Sequence, residues 1–523
     1  MFYRILAGII GEVLLTTEKA ESELPGKLQQ CYWNMEEEQQ KECLRGLLEF
    51  TENDIKLYIF MLSYLLQLLN DGKIVEQIEE TLLADNELSL TDRIYILYQL
   101  RIYVFSHELG VKELENSQKF RTVYSKQVES VSSALNQDIA YIPYANRNKK
   151  RIVMLIEPLL GGGHAPTRKA VNLYHYLTEL GYEVYMYATN YKRLQTQKLT
   201  EWWEARCSNA LFDENTEFCL NYYGVDIKGF YVMYTEENYI NMIRAIREEI
   251  REYNPAFVLT MGDSNVLADT CNQFTTVVTM GCTSSAPVTQ APIIARYFTL
   301  TEKMQKEYQR YLKKNQRVIE FIYGEVLEAI EENNCTREGL KIKEEDFLIV
   351  IAGNRLDNEM TEDMLEILYT ILEREPNCKV LFIGECSNLQ KRLEKEPYAD
   401  RLRFMGYVKN FKAAIAMGDL FLNPPRRGGG TGALYAVESQ VPVLTLGNCD
   451  VANMGEQFVC ERLEDMPIIV HQYITDALFM EQQKRYCRER TTRIDAMDNI
   501  GLTRAFCGEV EDTIREIEAN TLM

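Results

Sequence analysis

Residues 419–446, DLFLNPPRRGGGTGALYAVESQVPVLTL, carry the most chemically suggestive spacing in the chain. Leu420 to Leu422 reads as a short buried strand, closed by Asn423, Pro424 and Pro425. Gly428, Gly429 and Gly430 follow, and Thr431 and Gly432 open a helix with an apolar side of Ala433, Leu434, Ala436 and Val437. Pro442 ends the turn after it, and Val443 to Leu446 reads as the next strand. Glycines ahead of a helix let backbone approach a ligand with no Cβ in the way. The unpaired N–H groups and the positive end of the helix dipole at such a start both favour an anion. Arg426 and Arg427 add positive charge at the same mouth. Glu438 lies about two turns into the helix, within reach of a sugar hydroxyl beyond a bound phosphate. The plainer alternative is a tight glycine connection inside an α/β domain, since such loops are common.

Loops of this kind work only at the ends of strands, and the sequence supplies two successive sets of them. The first opens with RIVMLIEPLLGGGHAPTRKAVNLYHYLTELGYEVYMYAT: strand at Ile152 to Ile156, loop at Gly161-Gly162-Gly163-His164, helix from Thr167 to Leu180 stopped by Gly181, strand at Val184 to Tyr187. A helix at Ile240 to Tyr253 and a strand at Ala256 to Met261 follow, and Gly262-Asp263-Ser264-Asn265 is a second strand-end loop. Thr275 to Met280 and Phe298 to Leu300 read as further strands, with helix continuing to about Asn334. The second set begins near Glu345. Its strands are Phe347 to Ala352, Lys379 to Ile383 and Leu402 to Phe404, ending in Gly353-Asn354-Arg355, Gly384-Glu385 and Gly406-Tyr407-Val408. Helices are expected at Thr361 to Glu373, with Thr361 as N-cap, and at Phe411 to Met417. The tail reads as helix over Asp476 to Arg493 and Arg504 to Glu518. In doubly wound folds, ligands bind beyond the carboxyl ends of the strands.

Ahead of both sets, residues 1–145 are expected to be helical, with strong helices at Asn53 to Asp71 and after Leu90-Thr91-Asp92, and PYANRNKK (143–150) reads as a linker. The expected domains are thus 1–145 (helical), 151–335 and 345–523 (both α/β). The apolar stripes of the helical part are core, or a groove for a protein partner or a second copy of the chain. With 523 residues, two or three domains are expected. A net charge of −21 disfavours nucleic acid and anionic membrane as general partners. The 13 cysteines contain no C-x-x-C pair, and with only 4 histidines a zinc site is not expected. The chain offers no apolar stretch of about 20 residues for a transmembrane helix, and its N-terminal run lacks the marks of a signal peptide. A reducing, cytoplasmic setting is the expectation.

From Arg151 onward the chain resembles glycosyltransferases of the GT-B fold. The GGGH loop is similar to their acceptor-domain glycine loop. VIAGNR, KVLFIGE and RLRFMGYVKNFKAAIAMGDLFLNPP are similar to their nucleotide-binding domain, and GGGTGALYAVESQVPVLTL to their donor-binding signature. The helical tail resembles the segment that crosses back over the cleft. The resemblance implies two facing Rossmann-like domains, here preceded by an all-helical region. It implies metal-independent transfer of a hexose-like sugar from a nucleotide-sugar donor, a UDP-sugar by expectation, to a protein or glycan acceptor. It also implies roles: Glu438 on the donor ribose; Gly429, Gly430, Thr431 and Gly432 facing the diphosphate; Arg355 holding that diphosphate; Tyr407 and Val408 along the base; His164 where the acceptor-side loop meets the sugar. Arg426 is a further candidate for diphosphate charge.

Two departures stand out. Many retaining members have a glutamate where this chain has Gly430, and a lysine a few residues after the Arg355 position, where this chain has Asp357, Asn358 and Glu359. Arg426 and Arg427 are candidates to replace the missing charge. An inverting reaction would need a base, and His164 and Asp263 are the candidates. Each has a plainer alternative: His164 as a helix-start residue, Asp263 as a turn or N-cap residue, Glu438 as a solvated helix carboxylate, the arginines as surface charge. The departures also admit a different class, a GT-B pseudoenzyme that binds an acceptor protein or a sister transferase.

Overall fold

The computed structural model describes residues 1–523 without 17–22, 85, 108–112, 162–163, 192–201, 204–210, 213, 223, 236, 284–285, 298–301, 325–335, 409, 427, 448 and 522–523. The expected strand at Phe298 to Leu300, the helix end at Asn334, Gly162, Gly163 and Arg427 lie outside the described residues.

The N-terminal part is helical: α1 (Phe2–Thr16), α2 (Leu24–Trp33), α3 (Glu37–Phe50), α4 (Ile55–Leu69), α5 (Gly72–Leu83), α6 (Leu90–Ser106) and α7 (Glu113–Leu135). Local chemistry sets the ends. The Asp54 carboxylate accepts from the N–H groups of Lys56 and Leu57 at the start of α4, and Asn70 closes that helix in the left-handed region. Ser89 and Asp92 form a capping box at α6.

The first sheet runs in the order β3-β4-β2-β1-β5-β6-β7-β8, with β1 (Asn148–Ile156), β2 (Glu183–Tyr191), β3 (Thr216–Tyr222), β4 (Val225–Tyr234), β5 (Pro255–Met261), β6 (Val277–Met280), β7 (Ile293–Arg296) and β8 (Arg317–Glu320). Its pairings are parallel except β3 on β4. The helices of this lobe are α8 (Ala165–Glu179), α9 (Tyr239–Tyr253), α10 (Val266–Cys271) and α11 (Glu302–Tyr311). The β3–β4 hairpin and β8 were not anticipated; β8 interrupts what reads in sequence as continuous helix. Alternation along β1 divides the packing. Val153 and Leu155 share a core with α1–α7 and α9, whereas Ile152, Met154 and Ile156 face α8 and the C-terminal helix. The helical region therefore packs directly on one face of the first sheet.

Residues 143–150 are not a linker. Asn148 already begins β1. Arg147 is buried, donating to Ile142 O at 2.9 Å, Ala256 O at 3.0 Å and Thr276 Oγ1 at 3.0 Å. The basic character that suggests a solvated connection belongs in part to this bonded guanidinium.

The second sheet, β11-β10-β9-β12-β13-β14, consists of β9 (Phe347–Ala352), β10 (Cys378–Ile383), β11 (Leu402–Phe404), β12 (Leu420–Leu422), β13 (Val443–Leu446) and β14 (Val459–Cys460). Its pairings are all parallel. Around it lie α12 (Leu356–Glu359), α13 (Glu362–Arg374), α14 (Ser387–Leu393), α15 (Phe411–Ile415), α16 (Gly430–Glu438), α17 (Met466–Thr475) and α18 (Ala477–Asp495). Thr361 caps α13 as expected, accepting from Met364 N–H. The last helix, α19 (Asn499–Thr521), returns to the first lobe. There Phe506, Cys507, Val510 and Ile514 enter the core, and the Phe506 ring stacks on Phe321 with centroids 4.3 Å apart.

Candidate active site between the two lobes

In the second lobe, β12 delivers Asn423 to the mouth and the glycine run turns the chain into α16. Gly429 is the N-cap, at φ +98°, a left-handed conformation that a side chain would strain. Ala433 N–H is bonded back to Gly429 O. The N–H groups of Gly430, Thr431 and Gly432 ahead of it have no intrahelical acceptor, and Gly429 has no side chain to cap them. Arg355, at the carboxyl end of β9, lies alongside: a Cβ on Gly428 would stand 3.3 Å from its Nη2.

Arg426 is not at the mouth. It turns inward, with 4% of its side chain exposed. Its Nε donates to Asn423 Oδ1 at 2.7 Å, Nη1 to Glu359 Oε2 at 2.7 Å and Nη2 to Ala352 O at 2.8 Å. A Cβ on Gly429 would come within 2.8 Å of that guanidinium, so this glycine makes room for an arginine as well as for a ligand. Glu359 also accepts from Arg355 Nε at 3.0 Å. Burial opposes the charge on Glu359, but Arg426 and Arg355 outweigh it and hold the carboxyl below its ordinary range. The residue in the stretch where the family places a lysine is thus a carboxylate that organises two arginines.

Glu438, in the last turn of α16, accepts from Lys412 Nζ at 2.6 Å. Tyr407 is 72% exposed, while Val408 packs against the apolar layer of the second lobe.

In the first lobe, His164 is the N-cap of α8. Its Nδ1 lies 2.9 Å from Thr167 Oγ1, which accepts Leu160 N–H at 3.0 Å. Burial, then the neighbouring Arg168 charge, pull its pKa down to about 4, so the ring is neutral at pH 7. Asp263, after β5, braces a neighbouring loop: it accepts Cys282 N–H at 3.0 Å and the Thr283 hydroxyl at 3.2 Å. Glu157, at the end of β1, accepts from Thr189 Oγ1 at 3.0 Å. Burial pushes both carboxyls up, and Arg101 opposes the shift at each. Arg101 comes from α6 and donates to Ser264 O at 3.2 Å and to Ser264 Oγ.

The lobes meet where Arg168 Nη1 donates to Tyr435 OH at 2.7 Å, joining α8 to α16. His164 lies about 6 Å back from Arg168 along α8, and Gly429 about 9 Å back from Tyr435 along α16. Cys282 marks the convergence: burial, then Asp263, raise its pKa to about 12, with Asp450 also raising it and Lys169 and Arg101 opposing. Asp450, whose Cβ would sit 3.4 Å from a Cβ on Gly430, belongs to the second lobe.

The structure places Arg355 beside residues 428–432 in the second lobe, and His164 and Asp263 at a helix start and a strand end of the first. Arg426 is withdrawn and Glu438 is ion-paired. Sequence reasoning passed over Glu157, Arg101, Lys412 and Tyr435. For Arg101 a signal existed: one guanidinium inside the apolar run IYILYQLRIYVF. Among the described residues, no group of three or more His, Cys, Asp or Glu side chains is placed to hold a metal ion, and no helix is long and apolar enough to cross a membrane.

Residues 346–469 match the family described as Glycosyl transferases group 1. Comparison with curated proteins gives no relative that matches by sequence. Among solved structures, a mutant of the Thermobaculum terrenum O-GlcNAc transferase superposes with a TM-score of 0.53 at 14% identity, covering 99% of this chain and 98% of that one. WaaG, a glycosyltransferase involved in lipopolysaccharide biosynthesis, gives 0.42 at 13% identity over 68% of this chain and 98% of its own. Anabaena HepE in complex with UDP and glucose gives 0.48 at 9% identity over 69% and 99%.

Proposed function

Since this chain is a GT-B protein with a group 1 glycosyl transferase domain, we propose that it transfers a sugar from a UDP-sugar to a protein or glycan acceptor without a metal ion. The observation that carries the reading is Arg355 beside Gly428, at the uncapped start of α16 and opposite the first lobe. Cleaving a sugar–diphosphate bond leaves negative charge on the diphosphate. The N–H groups of Gly430, Thr431 and Gly432, with the Arg355 guanidinium, are positioned donors for that charge. Tyr407 offers an exposed ring to the base, with Val408 behind it, and Glu438 meets the ribose while keeping Lys412 as partner. In the tautomer where Thr167 Oγ1, which accepts Leu160 N–H, donates its own hydrogen to His164 Nδ1, the ring presents Nε2–H as a donor to the sugar. Asp263 is the carboxylate on the acceptor side, where an acceptor proton would be received. The setting is cytoplasmic, in keeping with the free cysteines among the described residues.

The test is a screen of nucleotide sugars by thermal shift, followed by hydrolysis or transfer assays on the stabilising donor. One donor should stabilise the protein and turn over, and Arg355→Ala should abolish the turnover. Unchanged turnover in that variant would remove the site.

One observation favours a second reading, a pseudoenzyme that binds an acceptor protein or a sister transferase. Arg426, the candidate substitute for the missing lysine, is committed to Glu359, Asn423 and Ala352. Under that reading nucleotide sugars bind without turnover, or not at all.

A further inference from the structure

Phe105 stands in the last turn of α6 and is 37% exposed. Its ring lies under the Arg355 guanidinium, with Cζ 4.5 Å from the centroid. That distance is within the range where the ring face attracts a cation. Arg101, one turn earlier on the same stripe of α6, is bonded to Ser264 at the end of β5. On the other side of the helix, Tyr103 OH lies 2.7 Å from Leu66 O and 2.9 Å from Asn70 Oδ1, which fixes α6 within the bundle. One helix of the N-terminal region thus touches the strand ends of the first lobe and the diphosphate candidate of the second.

We propose that α6 is a third wall of the interlobe site and that Phe105 is a positioning residue for Arg355. The guanidinium is held from two directions, by Glu359 at Nε and by the Phe105 ring on its face. Glu359 also pairs with Nη2, at 3.0 Å, and that nitrogen faces Gly428 at the start of α16. The proposal rests on the reading that Arg355 meets the donor diphosphate. The helical region, in this account, helps form the donor site, and loosening α6 weakens donor binding although no residue of the second lobe has changed.

The test uses the full-length protein with Phe105→Ala, Phe105→Leu and Phe105→Trp, each alone and with Arg355→Ala. UDP affinity is measured by calorimetry. The rate at which phenylglyoxal modifies Arg355 is followed by peptide mass spectrometry. Phe105→Ala and Phe105→Leu should weaken UDP about three- to fivefold and raise donor KM more than they lower kcat, whereas Phe105→Trp should restore both. In the Arg355→Ala background the Phe105 substitutions should change nothing further. Arg355 labelling should accelerate in Phe105→Ala and Phe105→Leu but not in Phe105→Trp. Unchanged labelling, or an equal loss of affinity with Arg355 already absent, overturns the proposal. Faster labelling in a protein that binds no UDP would uphold the positioning contact and refute the donor-site reading instead.

Discussion

The two mouths of the crevice are built alike and charged oppositely. Each is a set of strand ends, a glycine loop and the start of a helix. In the second lobe, two guanidiniums, Arg355 and Arg426, share one carboxylate, Glu359. In the first, two carboxyls, Glu157 and Asp263, share the influence of one guanidinium, Arg101, which a helix outside the lobe supplies. The second mouth is left with Arg355 beside an uncapped helix start, suited to a diphosphate. The first is left with acids whose burial favours the neutral form, suited to holding hydroxyls and taking up a proton. The same α/β architecture therefore divides labour through which charge is in the majority.

The largest test of this contrast separates the two arginines. Arg426→Ala removes the buried one of the two guanidiniums that hold Glu359, a carboxylate only 5% exposed. It should cost about 3–5 kcal/mol of stability, read as a lower urea midpoint. Arg355→Ala should leave that midpoint nearly unchanged and lower kcat about 100- to 1,000-fold, as loss of an oxyanion donor does. Equal effects of the two on stability would erase the distinction between a structural and a ligand-facing guanidinium.

On the first-lobe side, Asp263→Ala unpairs Cys282 N–H and the Thr283 hydroxyl. About 1–3 kcal/mol of stability should be lost, with UDP affinity unaltered. A fall in UDP affinity would place the acid in the wrong mouth. The effect of His164 is absent at neutral pH and shows only as the pH falls. Its folded pKa of about 4 lies below the ordinary value of 6.5. The unfolded chain therefore takes up the proton first as pH falls. Stability from this group is complete above about pH 6.5, declines between there and about pH 4, and falls no further below. His164→Gln should flatten that part of the urea-midpoint profile, and a profile identical to the parent's would contradict the burial of the ring.

Much of this was legible in the sequence. The strands Phe347–Ala352, Cys378–Ile383, Leu402–Phe404 and Leu420–Leu422 are short apolar runs, most of them ending at glycine, and buried parallel strands leave that mark. The hairpin of β3 and β4 did not show, because β3 is a half-exposed edge strand with little apolar content to announce it. The glycine loop announced a ligand mouth, but not that Arg426 folds beneath it. The direction a guanidinium takes depends on Glu359, Asn423 and Ala352, which lie on three different segments. The union of the helical region with the first sheet was likewise hidden, since apolar stripes do not record which surface they cover.

The most direct measurement is calorimetric titration of UDP into the parent protein and into Arg355→Ala. The account predicts binding at one site per chain, weakened at least tenfold by the substitution, a difference of about 1.4 kcal/mol. No heat with the parent, or the same affinity in both proteins, would contradict it.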